Sequence, residues 1–178
     1  MAEAKRKKKF FNIEIPLIKK STQLQAYESK DLNNRYIKYD LTRILKGKSI
    51  LLTIKVLVKN DEAITVPKEI KLMPYYLRRM MRKGTDYVED SFSANCKNAQ
   101  LRIKPFLITR RKVPRKIRKA LRDKAKQELI EYIKQKNFEE VFDEILKNSL
   151  QKNLSMKLKK IYPLSLCEIR VLEVEKEL

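Results

Sequence analysis

The chain has 178 residues, of which 43 are Lys or Arg and 22 are Asp or Glu, giving a formal charge of +21. It has no His, two Gly and two Cys, which excludes imidazole triads and imidazole metal sites, a Gly-rich phosphate cradle, a disulfide framework and a cysteine-rich zinc site. Charge this one-sided opposes compaction by self-repulsion, and a polyanion relieves it, nucleic acid before anionic membrane.

Residues 1–9 read as a basic arm. Lys5, Arg6, Lys7, Lys8 and Lys9 carry no apolar period and are expected to be disordered alone and to order along a folded RNA. Residues 10–178 read as one α+β domain, a mixed and largely antiparallel β core with helices packed on it. Phe10, Phe11, Ile13 and Ile15 make a short strand closed by Pro16. Weakly alternating segments at 24–28 and 36–39 flank a turn at Asn33 and Asn34. Asp40 is placed to cap a short turn through Leu41, Ile44 and Leu45 towards Gly47.

Residues 49–58 form the clearest strand, rich in β-branched side chains and suited to burial on both faces. This apolar run is broken by Thr53 and Lys55 and falls short of the ~20 residues of a membrane span. The basic start lacks a secretory apolar region, so a cytoplasmic protein that stays off membranes is expected. Asn60 and Asp61 turn the chain into a return strand at 64–66, continued at 70–73.

Pro74 opens a helix at its first position. Tyr76, Leu77, Met80 and Met81 follow at helical spacing, with Gly84 as the stop. Arg78, Arg79, Arg82 and Lys83 line its other face. Residues 86–94 then alternate, Tyr87, Glu89, Ser91 and Ser93 against Val88, Asp90, Phe92 and Ala94. A turn at 95–98 leads to the partner strand of Leu101, Ile103, Phe106 and Ile108, with Pro105 marking an edge or bulge.

After Pro114 the period becomes helical. Ile117, Leu121, Ala125, Leu129 and Ile133 make one stripe, Phe138 to Leu146 a second helix, and Leu154, Leu158 and Ile161 a short third before Pro163. A final strand runs through 166–174.

The charge is concentrated. Residues 110–126 hold ten Lys or Arg and one acid, whereas 127–149 hold six acids and three Lys. Arg110, Arg111, Lys112, Arg115, Lys116, Arg118, Lys119 and Arg122 place eight cations within 13 residues. Like charges at i,i+4 destabilise a helix, and phosphate contact removes that repulsion while releasing counterions. Glu139, Glu140, Asp143 and Glu144 read instead as a solvated helix face near a helix start, where the dipole favours acids. Tyr75, Tyr76, Phe10 and Phe11 are candidates for base stacking, although most such rings belong to cores. Asp86, Glu89 and Asp90 are the nearest approach to an acidic catalytic cluster. On a strand, Asp86 and Asp90 share a face and Glu89 points away, so no enzyme is expected, and no cofactor. Neither cysteine is assigned chemistry.

Four stretches, in this order, resemble the archaeal and eukaryotic small-subunit ribosomal protein family called 3a in eukaryotes. They are the basic arm leading into FFNIEIP, the strand SILLTIKVLV, the segment LRRMMRKGTDYVEDSFSANCKNAQLRIKPFLITRRKV, and the closing KKIYPLSLCEIRVLEVE. The chain is shorter than the family pattern, with a trimmed arm and a compressed region between 17 and 50. The resemblance implies a structural constituent of the small ribosomal subunit, on its platform near the mRNA exit. Its implied partners are small-subunit rRNA, neighbouring ribosomal proteins and mRNA at the exit. A non-ribosomal RNA- or DNA-binding protein without catalysis is the alternative; a DNA-binding protein would normally show a helix-turn-helix or a two-fold element.

Overall fold

The computed structural model describes residues 7–45, 47–59 and 62–177. Lys5, Arg6 and the turn expected at Asn60 and Asp61 lie outside the described residues. The chain divides into two compact units, one of residues 1–39 and 53–68, the other of residues 40–52 and 69–178.

In the smaller unit, β1 (Lys9–Ile15) pairs antiparallel with β2 (Lys20–Ala26), from Lys9 opposite Ala26 to Ile15 opposite Lys20. Pro16 starts the single 3₁₀ turn between them, and Lys19 closes it at φ 51°. Strand alternation sends Phe11, Ile13 and Ile15 to one face and leaves Phe10 outside. Ile13, Ala26, Leu32 and Val56 are buried together, with Phe11, Leu24, Ile37, Val58 and Ala63 packed against them. Asn34 takes the left-handed conformation, φ 62°, at the expected turn into β3 (Tyr36–Asp40). Thr65 Oγ1 donates to the Glu14 carbonyl at 2.9 Å, fastening the hairpin.

The large sheet has the strand order β3, β4 (Ile50–Lys59), β5 (Glu62–Leu72), β9 (Leu164–Glu177), β8 (Ala99–Thr109) and β6 (Tyr87–Glu89). A further strand, β7 (Phe92–Asn95), also pairs with β8. The pairings of β8 with β6, β7 and β9, and of β5 with β9, are antiparallel. The mixed α+β class and the antiparallel core expected from the sequence are therefore those of the protein. The expected 86–94 strand is split at Asp90 and Ser91; both halves pair with β8 in one register, and the gap faces Pro105 and Lys104, where the proline offers no N–H. Along β8 burial alternates as far as Lys104 and becomes continuous from Pro105 to Thr109. The register against β9 shifts between Lys104 and Pro105, so the proline sits at a bulge, one of the places in a sheet that tolerates it.

Helix α2 (Arg115–Lys134) buries Leu121, Ala125, Leu129 and Ile133 against β6, β7 and α4 (Ser149–Leu158). Between these helices, α3 (Phe138–Leu146) buries Phe138, Val141, Phe142 and Ile145. The rings of Phe138 and Phe142 meet edge to face at 6.5 Å. Truncating a buried leucine such as Leu129 to Ala costs about 2–5 kcal/mol in cores of this kind.

Two helix ends differ from expectation. Helix α1 (Pro74–Met80) stops at Met80, and Met81 is extended with ψ 128°. Met81 is 38% exposed, and Arg82, Lys83 and Gly84 are exposed too, so little apolar burial is available to sustain another turn. Gly84, at φ 84°, belongs to the loop beyond, and Arg82 and Lys83 are loop residues. Helix α4 ends at Leu158, leaving Ile161 exposed in a turn; the carbonyl of Leu158 takes the N–H of both Ile161 and Tyr162.

Candidate nucleic-acid interface

The basic segment 110–122 is built by a hairpin exit and a helix start. Thr109, the last residue of β8, is fully buried. Its N–H donates to the Asp86 carbonyl at 2.9 Å, its hydroxyl accepts from the Asp86 N–H at 3.1 Å, and the hydroxyl lies 2.7 Å from the Arg111 carbonyl, to which it donates. The Asp86 carboxylate accepts the Val113 N–H at 2.9 Å. These bonds pin both ends of the strap that carries Arg110, Arg111 and Lys112. Val113 is buried, and Pro114 is the N-cap residue of α2.

All eight cations of 110–122 are exposed except Arg118, which is half-buried. Among the described residues none of them makes an ion pair. The first turn of α2 contains no acid, and Pro114 supplies no side-chain cap. A helix N-terminus favours anions, and here it carries Arg115, Lys116 and Arg118 instead. Charge pairing begins where the cluster stops: Lys124 pairs with Glu128 at 2.9 Å, and Lys157 reaches Glu128 as well. Hydrogen bonds from Lys157 and Lys124 hold the Glu128 carboxyl below the usual carboxylate range.

Arg115, Arg118, Lys119 and Arg122 stand at i, i+3, i+4 and i+7, one helix face. With Lys116 and Tyr87 they line an open concavity of about 470 Å³. The Nε of Arg118 is buried and has no hydrogen-bond partner among the described residues. Tyr87 is 54% exposed and stacks on buried Phe106, centroids 5.9 Å apart at 20°. Sequence reasoning did not single out Tyr87, although a signal was present. The alternation placed it on the polar side of its strand, beside Glu89, Ser91 and Ser93.

Arg78, Arg79, Arg82 and Lys83 do not line this concavity. Arg78 and Arg79 are exposed on α1, with the Arg79 guanidinium 5.6 Å from the Tyr76 ring. Arg82 and Lys83 are exposed in the loop beyond. Lys7 and Lys8 precede β1, Lys9 is its first residue, and all three are exposed. Of the aromatic candidates, Tyr76 is buried while Tyr75 is exposed. Phe10 is exposed and Phe11 packs on the small core.

The acids have structural partners. Asp86 holds the strap, Glu89 pairs with Arg170 at 3.0 Å, and Asp90 accepts the Ser91 N–H at 2.9 Å. Among the described residues no three His, Cys, Asp or Glu gather as a metal site. Glu139 and Glu140 are exposed, and Asp143, its side chain 41% exposed, belongs with them to a solvated face, but Glu144 differs from that expectation. Lys147 pairs with Asp143, and Glu144 pairs with Lys136 and accepts from the Tyr132 hydroxyl at 2.8 Å.

Burial, then the adjacent Glu168 charge, pushes the Cys167 thiol up to about 12, against the opposing pull of Lys48. The thiolate is the reactive form. Native protein treated with iodoacetamide at about pH 8 is therefore expected to keep Cys167 unmodified, and denatured protein to lose it. Peptide mass spectrometry reads the result, and rapid native alkylation of Cys167 would contradict it. Because burial penalises only the thiolate, the shift costs the fold nothing while the thiol is neutral and lowers its stability as the pH climbs from 9.0 towards about 12.

The comparisons with known proteins agree with one another. The model of a family described as the ribosomal S3Ae family matches residues 1–177. The chain is 28% identical over 168 residues to the small ribosomal subunit protein eS1 of Nanoarchaeum equitans, spanning 89% of this chain and 84% of that protein. Against eS1 of Methanothermobacter thermautotrophicus the identity is 33% over 102 residues, or 55% of this chain and 52% of the relative. Against eS1 of Halorubrum lacusprofundi it is 30% over 126 residues, or 70% and 59%.

Proposed function

Because the chain belongs to the ribosomal S3Ae family and is a structural protein of the small ribosomal subunit, we propose that it binds rRNA through phosphate contacts centred on residues 110–122, on the subunit platform near the mRNA exit. The observation that carries this reading is the run of eight cations in 13 residues, left without an acidic partner among the described residues and set at a helix end whose dipole opposes them. Phosphate supplies the missing negative charge, positions the protein and reads no sequence. Neighbouring small-subunit proteins, and mRNA at the exit, are its further partners, and the cytoplasm is its place. The protein acts by holding RNA, not by changing it; its best-placed acids are occupied in fastening its own backbone and basic side chains.

Sucrose-gradient sedimentation of a cell extract tests this. In magnesium at moderate salt the protein is expected in the small-subunit fractions, and at high salt it is released, because phosphate contacts weaken steeply with salt. Sedimentation at the top of the gradient under both conditions, or with DNA, would overturn the proposal.

A further inference from the structure

We propose that the concavity between Tyr87 and the start of α2 holds one unstacked RNA nucleotide, its phosphate on the Arg115–Arg118–Arg122 face and its base on the ring of Tyr87. This rests on the rRNA-binding reading and makes it specific, since duplex phosphates alone have no use for the tyrosine.

Three observations support it. Tyr87 is stacked on one side by Phe106 and is still more than half exposed, so a fixed ring offers its other face. Base stacking on an aromatic requires a base already out of its helix. The wall beside that ring is made wholly of cations, and the nearby acids are turned away: Asp86 to Val113, Glu89 to Arg170, Asp90 to Ser91. The third observation is Arg118 itself, which lines the concavity half-buried and makes no ion pair among the described residues. A phosphate there accepts from its guanidinium and neutralises the surrounding charge. At about 470 Å³ the space falls within the range of ~300–1,000 Å³ typical of small-molecule sites. A neutral ligand would leave the cations unbalanced, and an anion without a ring would leave Tyr87 exposed.

The test uses the full chain with two probes, a short single-stranded oligoadenylate and a blunt RNA duplex. Tyr87→Leu keeps Phe106 covered but removes the aromatic face. It is expected to weaken single-strand binding by about 5- to 150-fold, the range for loss of one aromatic stack, and to leave duplex binding unchanged. Tyr87→Phe is expected to bind both probes like the parent. The chain contains no Trp, so Tyr87→Trp adds a single reporter, whose fluorescence should be quenched by the single strand and not by the duplex. Equal affinity of Tyr87→Leu and parent for the single strand, or an unquenched Tyr87→Trp, would overturn the nucleotide site while leaving phosphate binding intact. Failure of the parent to bind either probe would overturn the underlying reading as well.

Discussion

Replacing Arg115, Lys116, Arg118 and Lys119 together by Gln is expected to shallow the log–log salt dependence of RNA binding by up to about 3.6, at ~0.9 for each duplex-like phosphate that is no longer neutralised. The sign follows from counterion release: fewer neutralised phosphates mean fewer ions returned to solution. Between 50 and 200 mM salt, a slope difference of that size makes the affinity loss roughly two orders of magnitude larger at the lower salt. Gln has a helix propensity close to those of Arg and Lys, and Leu121, Ala125, Leu129 and Ile133 still anchor α2. The variant also removes three cations from a helix start that the dipole disfavours, and the Arg115–Lys119 repulsion at i,i+4. Its Tm is therefore expected at or above that of the parent. The control is Glu139→Gln with Glu140→Gln, both exposed on α3, which should leave slope and affinity as they were. Binding titrations across salt, thermal melts and incorporation into small subunits in cells provide the readouts. An unchanged slope with normal incorporation would mean that the cluster faces only solvent.

Lys48→Ala is expected to destabilise the protein by about 3–5 kcal/mol, the cost of breaking a buried ion pair by removing one partner. Lys48 and Glu168 meet at 2.6 Å, with their side chains only 10% and 12% exposed. The same ammonium donates to Asn148 Oδ1. Asn148 sits at φ 59° immediately before α4, so this one side chain ties the Gly47 turn, the start of α4 and β9 together. Removing it strands the Glu168 carboxylate in a low-dielectric site. The double variant Lys48→Met, Glu168→Leu removes both charges and should recover most of the loss, because apolar replacements of whole buried pairs are often neutral or stabilising. Urea unfolding of the three proteins decides it. Equal midpoints for parent and Lys48→Ala would show that the pair is screened by water and contributes little.

Whatever depends on neighbours along the chain was legible in the residues themselves. The short apolar strand closed by Pro16, the alternation at 86–94, the four-residue stripe from Leu121 to Ile133, and the turn at Asn33 and Asn34 are all local patterns, and so is the density of cations at 110–122. The polyanion-binding reading followed from that density because eight like charges in 13 residues repel one another wherever the chain places them. The family order of FFNIEIP, SILLTIKVLV and the basic hairpin exit was equally legible. Which side chains meet across long stretches of chain was settled by the packing of the fold. Lys48 and Glu168 are 120 residues apart, and nothing local to either marks the other. Asp86 looked like a member of an acidic group, and the antiparallel register of β6 on β8, Tyr87 opposite Ile108, turned it into the fastener of the basic strap. The same register stood Tyr87 over Phe106 and beside α2, and thereby separated a ring with an open face from those used up in the core. Helix α1 stopped at Met80, not at Gly84, because a helix of this length persists only where tertiary contacts cover its apolar face, and residues 81–84 are all exposed.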